Sequence, residues 1–457
     1  MSISTFLGLQ TALRGLTAQQ QALDVAGHNI ANSATPGYSR QSAVLVAAPA
    51  LHLTAGAVAT GAGALLGTGV DIAALTRARD GFLDLQYRAQ AMQLGDASTR
   101  AALLAQAQTA LSEPSDDGLA AGLQSFWNAW GALANTPTSA PARQVLLDGA
   151  SDLAAGIRTL DGRLAALQQQ AAQQSSDLLG PSGVVHSAAT ELASLNDSIA
   201  SATARGESPN DLLDRRDLLL DQLSSLAQVS VTPSTARPGA LTVLFGGSAT
   251  PLVDGDVTGQ AAVAAWPPVL GSNPGGELGA LGSLADTGAG PLASLRADLS
   301  TVAATLVSAV NNAYTAGGTL PGALFSATAG NEAATIAVDP SVTVAGLRAG
   351  TGAAGSNDIA LAVSALRDAP AGASDLYGAF VARVGSTVAN AQHGETVAQS
   401  LGDAVDARRQ SVSGVSMDEE MTSLIRFQRG YQASARVLTT MDDMLDHLIN
   451  RTGIVGL

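Results

Sequence analysis

The chain has 457 residues, a formal charge of -15 at pH 7 and no Cys, and all 23 of its basic residues are Arg. Nucleic acid is not an expected partner, since duplex binding needs a basic surface. The absence of Cys and Lys excludes cysteine nucleophiles, thiolate metal sites and Walker A phosphate loops. Hydrophobic residues make up 46% of the chain and aromatics only 3%, which predicts helices packed through Ala, Leu and Val in roughly two to four domains.

The first predicted element is a helix with a single apolar stripe. The stripe consists of Phe6, Leu9, Leu13, Leu16, Leu23 and Ile30, and four of these residues, Leu9, Leu16, Leu23 and Ile30, recur at a spacing of seven. The helix is expected to end near Ala34, because Pro36 stops a helix and Pro36-Gly37 favours a turn. A helix of this kind cannot bury its stripe alone, so it needs a partner.

An uncharged stretch follows from residue 41 to residue 70. Pro49, His52 and several Gly and Thr residues interrupt it, so we predict short strands and turns there and not a membrane helix. A cleaved secretory signal is not predicted either. Ser, Thr and Gln interrupt the apolar residues before Arg14, and no short apolar region with a small-residue cleavage site follows.

The middle of the chain has the periodicity of successive helices. They are predicted at residues 77–111, 119–133, 140–179, 187–205, 211–226, 292–315, 356–366 and 376–390. Residues 229–281 are rich in Gly, Pro and Thr and are predicted to form a small β-rich insert, and residues 317–355 are a second strand-like interval.

The last predicted element is a helix that covers about residues 400 to 450. It shows the spacing of the first helix through Met421, Leu424, Phe427, Tyr431, Leu438 and Leu445. The terminal helices are expected to pair as an α-helical coiled coil, either within one chain or between subunits. We therefore predict a mainly α fold with a smaller β part and a long helical-bundle middle domain.

Two acidic clusters could carry chemistry. Asp211, Asp214 and Asp217 could bind a metal, but their helical spacing favours a structural role in which Asp211 forms an exposed ion pair with Arg215. Residues 418–420, Asp-Glu-Glu, are interpreted as a solvated helix face, and the alternative is a contact with a neighbouring Arg.

Aromatic and His residues do not indicate a catalytic centre either. Phe126, Trp127 and Trp130 have the helical spacing of core residues. The five His residues lack partners at metal-binding spacing, and His28 is expected to make a local hydrogen bond or to lie at the surface. No catalytic, cofactor or metal site is predicted.

Residues 27–41, Gly-His-Asn-Ile-Ala-Asn-Ser-Ala-Thr-Pro-Gly-Tyr-Ser-Arg-Gln, resemble the amino-terminal signature of the bacterial flagellar rod and hook axial proteins. The motif positions are Asn29, Asn32, Pro36, Gly37, Tyr38 and Arg40. Residues 67–88, 208–217 and 413–433 are similar to the same family. Together these segments span nearly the whole chain. The segment at residues 229–355 is short and resembles the family poorly.

The resemblance implies a non-enzymatic structural subunit at the distal end of the flagellar hook, where it joins hook and filament. It implies that the terminal helices form the inner layer of a tube, with the two heptad stripes as subunit-packing residues. The implied partners are other copies of the chain in a ring, the hook protein, a second junction protein, flagellin and a cytoplasmic export chaperone on the C-terminal helix. The implied location is the extracellular flagellum, reached by type III export, without membrane insertion.

Three parts of the chain are expected. Residues 1–60 with 405–457 would form the terminal axial domain, residues 61–228 with 282–404 the helical middle domain, and residues 229–281 the outer insert. One alternative is another axial protein, such as a hook or distal rod subunit. The other is a secreted enzyme with axial-type terminal helices, which would need an acid-base or metal constellation in the middle of the chain.

Overall fold

The structure, a computed structural model, describes residues 6–53, 64–263, 265–353 and 355–450. Its helices are α1 Leu7–Ala31, α2 Gly81–Leu111, α3 Leu119–Asn135, α4 Ala140–Leu178, α5 Val184–Ala204, α6 Asn210–Leu226, α7 Gly276–Ala285, α8 Pro291–Tyr314, α9 Glu332–Thr335, α10 Asp358–Ala365, α11 Ala373–Ser413 and α12 Met417–Asn450. Its strands are β1 Gln41–Ala47, β2 Leu51–Leu53, β3 Ala64–Leu66, β4 Val70–Arg77, β5 Val229–Pro233, β6 Leu241–Phe245, β7 Pro251–Val253, β8 Phe325–Ser326 and β9 Ala337–Val338. The mainly α fold with a smaller β part is confirmed.

Helices α1 and α12 pack antiparallel and form a terminal hairpin. The contacts at its glycines place Gly8 against Met441, Gly15 against Ser434, and Gln19 against Gly430. Each step of seven or four residues along α1 is thus matched by the same step backwards along α12. This constant register is that of an antiparallel coiled coil, so the predicted pairing of the terminal helices is confirmed.

The side of α1 that faces α12, the seam, is made of small residues. Ala12, Ala22 and Ala26 are buried, and they share this side with Gly8 and Gly15. Small side chains at a helix contact allow the two backbones to approach closely. The hairpin is therefore held by close packing, in which the longer side chains of Met441 and Gln19 lie over glycines of the facing helix.

Strands β1 and β4 form an antiparallel ribbon that begins with the pair Gln41 and Arg77. The ribbon runs back along α1, since Arg14 Nη1 lies 3.8 Å from Asp71 Oδ2. The next antiparallel pair, β2 with β3, extends from it. The strands predicted between residues 41 and 70 are confirmed where they are described, and residues 54–63 lie outside the described ranges.

Helices α2 to α11, with the remaining strands, form the body of the molecule. Its larger core is built from residues of α2, α3, α4, α7, α8, α10 and α11. Phe126 and Trp130 are fully buried in it, with ring centroids 6.3 Å apart, and Trp127 Nε1 donates to Ser374 Oγ over 3.0 Å. The predicted core role of these three aromatic residues is confirmed.

A second core lies between the insert and the body. Strands β5, β6 and β7 form an antiparallel sheet in that order, with Val229 opposite Phe245. Its apolar residues pack with those of α5, α6 and α7, among them Val243 and Leu220, which are fully buried. The predicted β-rich insert is confirmed, and it completes its core with helices that flank it in the sequence.

The helix predicted to begin at residue 77 begins four residues later. Arg77 belongs to β4 and pairs with Gln41 of β1, so strand pairing overrides helix propensity there. Asp80 then caps the helix, because its side chain accepts a hydrogen bond from Phe82 N at 2.9 Å.

The prediction of one helix from residue 400 to residue 450 is also wrong. Helix α11 continues from Ala373 to Ser413 and α12 begins at Met417. Gly414 has extended backbone angles, φ -70° and ψ 155°, and Gly is a poor helix former. The break separates the body from the terminal hairpin.

None of the helices within the described ranges has both the length and the hydropathy that crossing a membrane requires.

The buried aromatic cluster predicts a large stability cost on truncation. Trp130→Ala should lower the free energy of unfolding by about 3–5 kcal/mol, because it leaves a cavity in a packed core. Phe82→Ala is the matched control, since Phe82 is 66% exposed and should change stability by about 0.5 kcal/mol at most. Urea titrations followed by circular dichroism measure both, and equal losses would contradict the core assignment.

Candidate functional site

The end of the terminal hairpin meets the body at a polar cluster, the joint. It contains the end of α1, the loop at residues 32–40, the base of the ribbon, α6 and the first turn of α12. These pieces come from the four segments that carry the family resemblance. The structure therefore brings together motifs that are far apart in the sequence.

Asn29 lies at the centre of the joint and is 1% exposed. Its amide pairs with the main chain of Gln41: Oδ1 accepts from Gln41 N and Nδ2 donates to Gln41 O, both over 2.9 Å. Nδ2 also donates to Glu420 Oε2 over 3.0 Å, and Oδ1 accepts from the Tyr38 hydroxyl over 2.7 Å. One side chain thus connects α1, the loop, the ribbon and α12, which explains why Asn suits this position.

The loop after α1 closes a tight turn. Asn32 Nδ2 donates to His28 O over 3.0 Å and Asn32 Oδ1 accepts from Thr35 Oγ1, so its side chain finishes the helix. Gly37 has φ +78°, and a Cβ there would lie 3.1 Å from Leu218 Cβ. Gly is required at this position because the backbone is left-handed and α6 is close.

Tyr38 points its hydroxyl into the joint. Besides its bond to Asn29, the hydroxyl lies 3.1 Å from His28 Nδ1. Burial, together with the nearby carboxylates of Asp211, Asp214 and Glu420, raises the pKa of Tyr38. The hydroxyl therefore stays protonated at neutral pH and can donate to Asn29. This contact with Tyr38 is the local hydrogen bond that was expected for His28.

Arg40 connects the loop to the first turn of α12. Its Nε donates to Glu420 Oε1 over 2.7 Å, and its Nη1 lies 3.0 Å from Glu419 Oε2. The side chain of Glu420 is only 4% exposed. Interpreting residues 418–420 as a solvated face is therefore wrong for Glu420: in an antiparallel hairpin its helix face turns towards Asn29 and Arg40.

The acidic residues of α6 face a set of Arg side chains. Arg77 Nη1 donates to Asp214 Oδ1 over 2.7 Å and to Asp217 Oδ2 over 2.9 Å. Arg79 Nη1 lies 3.3 Å from Asp217 Oδ2, and Arg88 Nη2 lies 3.3 Å from Asp217 Oδ1. The structural role predicted for these acids holds, in a largely buried ion-pair network that fastens the ribbon and α2 to α6.

The exposed pair predicted between Asp211 and Arg215 does not form. Asp211 Oδ1 accepts from Gln41 Nε2 over 2.8 Å, and Arg215 Nε instead donates to Glu191 Oε1. Asp211 thus contacts the ribbon and Arg215 contacts α5. Each side chain binds a partner from another element and not its neighbour on α6.

Charges near Asp217 outweigh its burial. Burial alone would raise the pKa of the Asp217 carboxyl, but Arg79, Arg77 and Arg88 lower it below its usual range. The carboxylate is thus charged throughout the neutral range and matched by cations.

Several members of this network were not predicted from the sequence. Arg79 and Asp84 form a bidentate pair at 3.0 and 2.8 Å, and Arg409 of α11 donates to Asp221 Oδ2. The first pair joins residues five positions apart, whereas the second joins residues 188 positions apart and forms only where α11 meets α6.

The predicted subunit-packing residues lie on the terminal hairpin. Most of them are half-buried beside or within the contact between the two helices: Leu9, Leu16, Leu23, Ile30, Leu424, Phe427, Tyr431, Leu438 and Leu445. Leu13 is 50% exposed and Met421 53% exposed. Their role between subunits remains a prediction.

The joint is suited to holding two parts of the molecule together. Among the described residues, no group of three or more His, Asp or Glu side chains is placed to hold a metal ion. The carboxylates of Asp214, Asp217 and Glu420 already accept hydrogen bonds from Arg or Asn. The geometry supports mechanical attachment.

The low pKa of Asp217 predicts an acid-dependent loss of stability. The contribution of the Asp217 carboxylate to the free energy of unfolding is complete above the pKa of an unfolded Asp, about 3.9. This contribution is lost as the pH falls through the lower pKa of the folded state. Asp217→Asn should lower the free energy of unfolding at neutral pH by about 3–5 kcal/mol, because cations lose their partner.

The same variant should lose less stability on acidification than the unsubstituted chain does. Urea titrations between about pH 7 and pH 2 measure this difference. Asp24→Asn, an exposed position on α1, is the control and should keep the original pH dependence. An unchanged slope in Asp217→Asn would contradict the assignment.

Three known families match parts of the chain. Residues 104–327 match the family described as Flagellar hook-associated protein FlgK helical domain. Residues 9–38 match Flagella basal body rod protein, and residues 408–451 match Flagellar basal body rod FlgEFG protein C-terminal. The two rod-type matches cover the helices of the terminal hairpin.

Individual relatives agree. The flagellar hook-associated protein 1 of Bacillus subtilis (strain 168) is 31% identical, with 99% of each chain covered. The protein of that name from Salmonella typhimurium (strain LT2) is also 31% identical, over 55% of this chain and 43% of the relative. A solved structure, the flagellar hook junction protein FlgK from Burkholderia pseudomallei, is 26% identical over 53% of this chain and 46% of that one, with a TM-score of 0.45. Because the Bacillus match covers both proteins almost from end to end, this chain belongs to the flagellar hook-associated protein 1 family.

Proposed function

We propose that this chain forms the ring at the distal end of the flagellar hook that joins hook to filament, and that its subunits associate through the terminal hairpin. Membership of the hook-associated protein 1 family supports the location. The observation that carries the mode of association is an apolar row along one side of the hairpin.

The row follows from the register of the hairpin. Leu9 and Leu16 come directly after the seam residues Gly8 and Gly15, and Tyr431 comes directly after Gly430. In an antiparallel pair, residues that directly follow seam positions lie on the same side of both helices.

The spacing of seven extends the row on both helices. Leu23 and Ile30 continue it on α1, and Leu424, Leu438 and Leu445 continue it on α12. These residues together form the apolar flank of the hairpin.

The flank is only half covered in a single subunit. Covering a large apolar side chain completely is worth about 1.5–3 kcal/mol relative to leaving it exposed. Eight such residues can therefore hold neighbouring subunits together once part of their remaining surface is covered. A free subunit leaves this surface in water, which gives a reason for a cytoplasmic chaperone on α12 before export.

The remaining assignments belong to the same proposal. Residues 1–60 with 405–457 form the axial domain, residues 61–228 with 282–404 the middle domain, and residues 229–281 the outer insert. The partners are other copies of the chain, the hook protein, a second junction protein and flagellin. The chain works outside the cell after export, and it has no enzymatic activity.

Deletion of the gene tests the location. Electron microscopy of the deletion strain should show bare hooks, with filament protein lost to the medium. Cells without hooks would contradict the proposal and point to a hook or distal rod subunit, and intact motile filaments would contradict any junction role. Restoration of filaments by the unsubstituted gene is the control.

The flank predicts two variants that fold but do not assemble. Leu16→Asp and Leu424→Asp should each abolish incorporation into flagella, because a charge would be buried between subunits. The body should keep its cooperative thermal transition. Motility and immunoblots of sheared flagella measure incorporation.

Gln21→Asp is the matched control for these variants. Gln21 is exposed and directly precedes the seam residue Ala22, so it lies on the side of α1 away from the flank. Gln21→Asp should incorporate normally. Normal incorporation of Leu16→Asp and Leu424→Asp would contradict the role of the flank.

A further inference from the structure

A short break separates the terminal hairpin from the body. Helix α11 ends at Ser413 and α12 begins at Met417, with extended backbone at Gly414. A three-residue link of this kind does not itself fix the angle between two helices. Contacts from other parts of the chain must set the direction of α12.

Arg40 contacts both sides of the break. Its main-chain N–H donates to Ser413 O, at the end of α11, over 2.9 Å. Its side chain binds Glu420 and Glu419, in the first turn of α12, over 2.7 and 3.0 Å. One residue of the loop therefore joins the end of one helix to the start of the next.

The Arg40–Glu420 contact is largely shielded from water, whereas the Glu419 side chain is 63% exposed. The Arg40 side chain is 34% exposed and the Glu420 side chain 4% exposed, and the second oxygen of Glu420 accepts from Asn29. Exposed ion pairs contribute little to stability. A charge-assisted hydrogen bond to a buried carboxylate is stronger and more directional.

Close packing does not hold the break in place. A cavity of about 560 Å³ lies beside it, lined by the loop at residues 33–40 and by residues 410–416. Arg79 and Arg409 also line it. The break therefore has space to change its backbone angles, and it is restrained by the contacts of Arg40 and by the Asn29–Glu420 hydrogen bond.

We propose that Arg40 is a positioning residue, which fixes the angle of the terminal hairpin on the body by clamping α11 and α12 across residues 414–416. The clamp is separate from the flank. The flank provides the contact between subunits, and the clamp sets the direction in which each subunit presents that contact. The inference rests on the geometry of the break and does not depend on the proposed assembly.

The clamp explains why Arg suits this position. Its Nε and Nη1 reach two different carboxylates from one planar group, whereas a Lys ammonium is a single charge without that fork. Arg40→Lys should therefore restrain the angle less well than Arg does. Arg40→Ala keeps the main-chain bond to Ser413 but loses the contacts with α12.

Spin labels can measure the angle, since the chain has no native Cys. Ser400 on α11 and Thr440 on α12 are exposed, and they lie about 20 and 35 Å from the break at 1.5 Å per helical residue. With Cys at both positions, double electron–electron resonance on the full chain should give one narrow distance. Arg40→Ala should lose that narrow peak, and Arg40→Lys should broaden it.

Two controls separate the clamp from general damage. Arg14→Ala removes an ion pair between α1 and the ribbon that does not cross the break, so it should keep the narrow peak. A second label pair within the hairpin, at Gln20 and Arg429, should keep its distance in Arg40→Ala. The proposal is overturned if Arg40→Ala keeps the narrow distance across the break, if the unsubstituted chain lacks it, or if the distance within the hairpin is lost as well.

Discussion

The close antiparallel contact between α1 and α12 is the constraint on which the rest of the structure depends. Gly8 and Gly15 of α1 and Gly430 of α12 have no space for larger side chains without movement of their neighbours, which are the side chains of Met441, Ser434 and Gln19. The large apolar residues Leu9, Leu16, Leu23 and Ile30 of α1 lie beside this contact. The apolar flank beside this contact stays partly exposed in a single subunit, which is the basis of the assembly that we propose.

The joint attaches the terminal hairpin to the body, to which it is otherwise linked only by the chain at residues 32–40 and 414–416. The attachment consists of directional polar contacts. The Asn29 side-chain amide pairs with the main-chain N–H and C=O of Gln41, as a neighbouring strand would. Arg77 binds two carboxylates of α6 with one guanidinium group. Such contacts contribute specificity of geometry, because each donor and acceptor has one suitable position. Asn29, Tyr38 and Arg40 of the family motif thus make the attachment contacts, while Asn32 and Gly37 shape the turn between them.

Local patterns predicted the helices, the β-rich insert and the pairing of the two ends, because these features depend on periodicity within one segment. They did not predict the joint. Glu420 belongs to an acidic run that is typical of a solvated face, and only contact with residues 29–40 makes it buried. The break at residues 414–416 was missed for the same reason: Gly414 alone is a weak signal, and its effect depends on Arg40. Attachment residues depend on partners hundreds of positions away.

A cryo-electron microscopy map of the hook–filament junction would show directly what the flank of each hairpin contacts. The flank, with Leu16 and Leu424, should lie against a neighbouring subunit, while the Gly8–Met441 seam remains within one chain. A map in which the flank faces solvent or the central channel, with neighbouring subunits held only through their bodies, would contradict this prediction.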